Sequence, residues 1–240
     1  MKKFFQKILS FLGYRISSIK KNNIKDFDEI LKKVFRDSKL NIVDIGANTG
    51  QSIERFQKLF NKSKIYSIEP SKDAFYKLKK KYNNKKNIYL YNHAIGDLNQ
   101  KKFFFDYENN VLSSFNKLNK KNILKNKFNK HLVNVLTLDN FCSKHRLKNV
   151  HILKIDTQGN ENNVLKGSRK SIRNGIFKLI ELEIIMGDYY ERYSNFYEIE
   201  KHLVNSNYRL IAVDKRLNFY NDKRLYCNVL YLRKDLYKKL

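Results

Sequence analysis

The hydrophobic pattern changes period near Leu40. Before it, residues 1–21 (MKKFFQKILSFLGYRISSIKK) carry apolar side chains at helical spacing. Phe4, Phe5, Ile8, Leu12, Ile16 and Ile19 fall along one side, with Lys3, Lys7 and Arg15 largely off it. After it, short apolar runs alternate with amphipathic stretches. LNIVDIG reads as a strand, and TGQSIERFQKLF as a helix with Ile53, Phe56 and Phe60 on one face. KIYSIEP is a second strand, closed by the only proline. SKDAFYKLKKKY is a second helix, capped by Ser71, with Phe75, Leu78 and Tyr82 inward. NIYLYNHAIGD is a third strand and its loop. KKFFFDY and VNVLTLD also read as strands. The polar stretch between them, about 109–130, has the character of a mobile loop or a substrate cover. HILKIDTQG is a strand, ENNVLKGSRKSIRNG a helix ended by Gly175, and FKLIELEI another strand. A helix near 192–205 and the strands YRLIAVD and LYCNVLYLRK complete the pattern.

Strands alternating with helices imply an α/β fold: a mostly parallel sheet with helices on both faces and all strand C-termini along one edge. Ligands of such folds bind at that edge. At 240 residues the chain is read as a single domain over 37–240 behind a basic amphipathic N-terminal extension, 1–36. The extension starts like a signal peptide, but Lys7 interrupts its apolar stretch and no small-x-small cleavage site follows. A helix explains it better, either covering the domain's own core, the favoured reading, or lying on an anionic membrane.

A formal charge of +27 invites a nucleic-acid partner. The lysines are spread over nearly every segment, so a solvated surface is the simpler reading and nucleic acid is disfavoured. What survives is an expectation of anionic surroundings: acidic glycans, phosphorylated carriers or membrane headgroups. The two cysteines, Cys142 and Cys227, have no metal or redox spacing. A cytoplasmic location fits, with peripheral membrane contact as an addition.

The candidate chemistry sits at strand ends. Four segments follow successive strands: Asp44–Gly50, Ile68–Pro70, Asn92–Asp97 and Lys154–Gly159. They hold four of the eight glycines, which places backbone freedom where a ligand approaches. Gly46 and Gly50 are spaced GxxxG, neither the dinucleotide fingerprint nor a P-loop. The expected cofactor pocket comprises Asp44, Gly46, Ala47, Asn48 and Gly50 from the first turn and Glu69 and Pro70 from the second. Glu69 is placed to take ribose hydroxyls. His93, Ala94 and Asp97 lie in the loop that frames an adenine.

The run VDIGANTGQS, SIEP, AIGD, LSSF, VLTLD, LKIDTQGNENNVLKGS, IELE resembles FkbM-type methyltransferases in order and spacing, over about residues 40–233. KIDTQGNENNVLKG is its most specific element, with Gln158 the less acidic variant of its position. The resemblance implies a Rossmann-like class I methyltransferase, with a seven-stranded sheet. It implies S-adenosylmethionine as donor and O-methylation of an acceptor hydroxyl. A small-molecule or glycan acceptor follows, with a sugar hydroxyl favoured.

Such a hydroxyl needs its proton removed. Asp156, at the end of the fourth main strand, is the first choice as base, with Glu161 and Glu183 (or Glu181, on the same side of the strand) beside it. Asp156, Glu161 and Glu183 together form a divalent-cation alternative that is not favoured. Ser113 and Ser114 match the family's serine pair, and Lys154 is read as a salt-bridge partner. Two rivals remain: an RNA ribose methyltransferase, which the charge suits, and a non-catalytic binding protein that keeps the fold.

Overall fold

The computed structural model describes residues 27–36, 39–120, 126–214, 218–220 and 223–240. The amphipathic segment at 1–21 lies outside the described residues.

The most apolar runs form the middle of the sheet. Strands β1 (Asn41–Ile45), β2 (Lys64–Ile68) and β3 (Ile88–Tyr91) are parallel neighbours, with helices α2 (Gln51–Leu59) and α3 (Lys72–Tyr82) as the crossovers. Three further strands precede β7: β4 (Ala94–Gly96), β5 (Gln100–Tyr107) and β6 (Phe128–Thr137). β7 (Val150–Ile155) returns to the other side of β1, and β8 (Phe177–Ile185) pairs parallel to β7. The long antiparallel β11 (Lys223–Arg233) follows on β8. β9 (Tyr208–Val213) and β10 (Asn218–Tyr220) both pair with the far side of β11, β9 along its C-terminal half and β10 along its start. Eight strands thus fill seven positions, and the order β3-β2-β1-β7-β8-β11 reverses between β1 and β7.

Alternation along the central strands gives each face its own core. Ile42, Ile152 and Leu179 point to one side, where α2, α3 and α1 (Phe27–Val34) cover them with Phe56, Leu78 and Leu31. Val43, Leu153 and Ile180 point to the other, under α4 (Leu138–Lys144), α5 (Glu161–Lys166), α6 (Arg169–Arg173) and α7 (Phe196–Val204). α1 buries Phe27, Ile30, Leu31 and Val34, so this part of the N-terminal segment is continuous with the domain core. Ser71 caps α3 as its position suggests, accepting from the Ala74 amide at 3.2 Å. Among the described residues no helix is long and apolar enough to cross a membrane.

The structure departs from the sequence expectation in the middle of the chain. The run read as one strand with its loop is two strands. After β3 the chain turns out of the main sheet, and β4 pairs with β6 in a separate sheet of order β4-β6-β5. The stretch read as mobile or covering is tied down where it is described. Ser114 bridges Phe105, and Leu118 bridges Tyr190. The helix α4 was not foreseen, because its seven residues hold too little periodicity to register. The run ENNVLKGSRKSIRNG is two short helices, with the break at Gly167. Packing explains the break: a Cβ on Gly167 would lie 1.9 Å from the Gly96 carbonyl oxygen. Only bare backbone lets the helix pair approach β4.

Gly167→Ala is therefore expected to destabilise the fold by about 1–3 kcal/mol through forced separation of these backbones. Urea unfolding measures it; an unmoved midpoint would mean that the contact tolerates a methyl group.

Candidate active site

The reversal of strand order leaves a crevice at the C-terminal edge, as crossover geometry requires. A cavity of about 380 Å³ occupies it, a size suited to a small ligand. Its wall takes residues from the ends of β1, β2, β7 and β8 and from the small sheet above.

The turn after β1 forms the first wall. Gly46 and Ala47 both donate backbone N–H to Ile68 O, at 2.9 and 3.1 Å, which draws the turn toward β2. Gly46 has φ +83°, and a Cβ there would lie 1.8 Å from Asp156 O, so glycine is needed for the approach of β7. Glu69 then locks the arrangement. One of its carboxylate oxygens accepts from the Asn48 amide at 2.7 Å, the other from the Ser71 amide at 2.8 Å. Burial pushes the Glu69 carboxyl up to about 7, although these two N–H donors pull against it. Asn48 Oδ1 and His93 Nδ1, both on residues lining the cavity, are buried with no partner among the described residues. They are polar atoms that a bound molecule can satisfy.

The second wall is ionic. The β7–β8 register places Lys154 opposite Glu181 and Ile155 opposite Leu182, so Asp156 and Glu183 lie level just past the end of the pair. Lys154 Nζ donates to Asp156 Oδ2 at 2.9 Å. Burial opposes the charge on Asp156, but Lys154 outweighs it and holds the carboxyl below its ordinary value. Glu183 shifts the other way, pushed well up by burial and then by the Asp156 charge. The Gln158 amide donates to Asp156 Oδ1 at 3.0 Å and to Glu183 Oε2 at 2.5 Å. Farther out, Arg55 pairs with Glu181 at 2.6 Å and with Asp28 at 2.7 Å.

The small sheet roofs this wall. Phe104 and Phe115 meet edge to face with centroids 5.3 Å apart and line the cavity with Asn110, Val111 and Ser113. Asp106 fastens the roof, accepting from Ser113 Oγ and from Ser71 Oγ, both at 2.9 Å.

A family model, that of the FkbM methyltransferase domain, matches residues 44–210. The chain belongs to the FkbM methyltransferase family. Among solved structures it is similar to a methyltransferase FkbM from Methylobacillus flagellatus KT, with a TM-score of 0.53 and 17% identity. That alignment covers 82% of this chain and 44% of the other, so the chain spans less than half of that protein. Looser likenesses include an rRNA methylase from Streptococcus thermophilus, with a TM-score of 0.49, 11% identity and coverage of 86% and 93%. A fibrillarin from Methanococcus jannaschii has a TM-score of 0.49, 12% identity and coverage of 82% and 68%. The first shows the class I methyltransferase fold; the other two carry no argument. Comparison with curated protein sequences gives no match.

In this member of the family most of the residues singled out by sequence converge. Gly46, Ala47, Asn48, Glu69, Pro70, His93, Ala94, Asp156 and Glu183 line the cavity. Asp44, Gly50, Asp97 and Glu161 do not. Asp44 is fully buried beneath the turn, accepting from Ser67 Oγ at 3.5 Å. Gly50 accepts from the Tyr82 hydroxyl at 3.2 Å and makes room for that ring. Asp97 lies against Gly167. Glu161 turns into its own loop, where one oxygen accepts from the Thr157 amide at 3.0 Å and the Gly159 amide at 3.1 Å. It shapes the loop that carries Asp156, and Asp156, Glu161 and Glu183 do not converge as one trio. Among the described residues no three His, Cys, Asp or Glu side chains form a group able to hold a metal ion. Lys154 is the salt-bridge partner expected.

Sequence reasoning missed Arg55, Tyr190, Tyr226 and Asn228. Arg55 had a signal: an arginine one turn into the helix after the glycine turn, in a chain whose usual cation is lysine. Tyr190 had none, because its hydroxyl reaches Gln158 Oε1 at 3.0 Å across 32 residues of sequence.

Glu69 makes stability depend on pH. Its carboxyl holds a proton up to about 7 in the folded chain, against an ordinary 4.5. Its contribution is fully present below the unfolded value and lost as pH rises through the folded one. Glu69→Gln is expected to flatten the decline in Tm between about pH 5 and about pH 8. Equal declines in both proteins would show that Glu69 titrates normally.

Proposed function

We propose that the protein is an S-adenosylmethionine-dependent O-methyltransferase acting on a sugar or glycan hydroxyl. One observation carries this reading: the Gly46–Asn48 turn, the Glu69 carboxyl and the Asp156–Glu183 pair all border one cavity. The orphaned Asn48 and His93 atoms in that wall suit the polar edges of a nucleoside, and Glu69 suits ribose hydroxyls.

When bound, S-adenosylmethionine supplies a methyl group on a sulfonium that needs no further activation. The chain's own task is then to hold the acceptor oxygen in line and to receive its proton. Asp156 is the group for that proton. Lys154 keeps it ionised, and its side chain is 29% exposed, so an acceptor can reach it. The acceptor hydroxyl would lose its proton to the Asp156 carboxylate as its oxygen took the methyl group, the electron pair of the broken S–C bond staying on the donor's sulfur. The roof residues Phe104 and Phe115 exclude water and offer aromatic faces to a sugar ring. Acidic or phosphorylated acceptors match the surplus of positive charge.

Glu69 accepts from ribose hydroxyls more strongly when ionised. Affinity for S-adenosylhomocysteine, measured by calorimetry, should therefore rise with pH toward a plateau above about 7. Glu69→Ala should weaken it about tenfold or more. Asp156→Asn should instead cut methyl transfer by about 10²–10⁴-fold with a smaller effect on donor affinity. The assay is label uptake from methyl-labelled donor into fractionated glycans of a native lysate. Label appearing only in RNA would overturn the glycan assignment, and absence of heat with S-adenosylhomocysteine would overturn the donor.

A further inference from the structure

Gln158 stands where the family's signature run admits a carboxylate, and its surroundings explain an amide there. Its side-chain nitrogen has two hydrogens, and both find carboxylate oxygens: Asp156 Oδ1 at 3.0 Å and Glu183 Oε2 at 2.5 Å. Its side-chain oxygen accepts from the Tyr190 hydroxyl at 3.0 Å. A flipped amide would aim oxygen at two carboxyls and turn nitrogen toward a donor, so this orientation is fixed. The backbone is fixed too. Gln158 has φ +53°, rare for a residue with a side chain, and the Ser114 hydroxyl donates to its carbonyl at 2.6 Å. The hydroxyls that hold Gln158 come from the roof and from the segment after β8, so the covering elements set the orientation of a group at the cavity floor.

We propose that Gln158 is a positioning residue that bridges Asp156 and Glu183 through its amide and, beside Lys154, keeps the single negative charge of the pair on Asp156, with Tyr190 and Ser114 holding it in place. The role rests on the reading of Asp156 as proton acceptor. The charge assignment itself follows from the contacts. Asp156 receives donors on both oxygens, Lys154 on one and Gln158 on the other. Glu183 receives the amide alone and feels the acidic neighbours Asp156 and Glu161. The charged and titratable groups around the pair are Lys154 on β7, Glu161 on α5, Glu181 on β8, Asp44 on β1 and Tyr190 after β8. Lys154 is the cation that touches the pair, and it sits on Asp156, while Arg55 is bound to Glu181 and Asp28. The proton of the pair therefore belongs to Glu183, which can donate it to Asp156 as a hydrogen bond. A glutamate at position 158 would place a third acid against two others and remove the donor that both share.

The test reads the carboxyls directly and needs no acceptor. The full chain is labelled with carboxyl-¹³C aspartate and glutamate, and Asp156 and Glu183 are assigned with Asp156→Asn and Glu183→Gln. In the wild type the Asp156 signal should titrate well below that of Glu183. In Gln158→Leu the Asp156 midpoint should rise by about one pH unit, and that of Glu183, which loses the same donor, should rise with it. Tyr190→Phe, which frees the amide without removing it, should move Asp156 the same way by less. If Gln158→Leu fails to fold, Tyr190→Phe decides the matter. An Asp156 midpoint that stays still while Tm falls would show that Gln158 only braces the loop, and would overturn the proposal. Calorimetry of the wild type with S-adenosylhomocysteine is scored separately: no heat there sinks the donor reading, whatever the carboxyls do.

Discussion

One buried cation makes the acidic edge of this sheet possible. Lys154 stands among Asp44, Asp156 and Glu181, all of which raise its affinity for the proton and keep it charged despite burial. Without it, Asp44 and Asp156 would have no cation beside them, since Arg55 is taken up by Glu181 and Asp28, an arrangement costing several kcal/mol per uncompensated charge. The lysine is also asymmetric in its attention. It makes its hydrogen bond to Asp156, whereas Asp44 lies in its field without that contact and is pushed up to about 6 by burial. One side chain thus sets which acid is ionised and which is suppressed.

The layout of the fold was legible because the central strands are short, apolar and ended by Gly, Pro or Asp, and helices α2 and α3 between them carry clear apolar faces. The small sheet was not legible as a separate layer. β4 has only three residues, and nothing local distinguishes a strand that continues the main sheet from one that leaves it. The broken helix at Gly167 failed for a related reason: its cause is a backbone 71 residues earlier, at Gly96. Local pattern reports periodicity; it does not report which backbone will arrive alongside.

The candidate site divides in the same way. Residues at strand ends were found because topology gathers them there. Among them, sequence could not separate walls from supports. Glu161 and Asp44 are acids at the right ends of the right strands, yet their carboxyls face inward and organise loops. Gln158, set aside in sequence as the weaker variant, holds four contacts at the centre of the ionic wall. What distinguishes these roles is the direction of each side chain, which depends on the positive-φ turns at Gly46, Gln158 and Gly159.

The neighbouring serines of the roof have opposite allegiances. Ser113 belongs to Asp106 and through it to the helix that follows β2, while Ser114 belongs to Gln158 and the floor beneath β7. Extended backbone sends adjacent side chains to opposite sides. A slip of one residue in this segment would therefore unfasten both ends of the roof together, exchanging each hydroxyl's partner for the wrong one. The spacing of the upstream chain is held in register by the chemistry on either side of it, and loop length here is as constrained as any residue in the cavity.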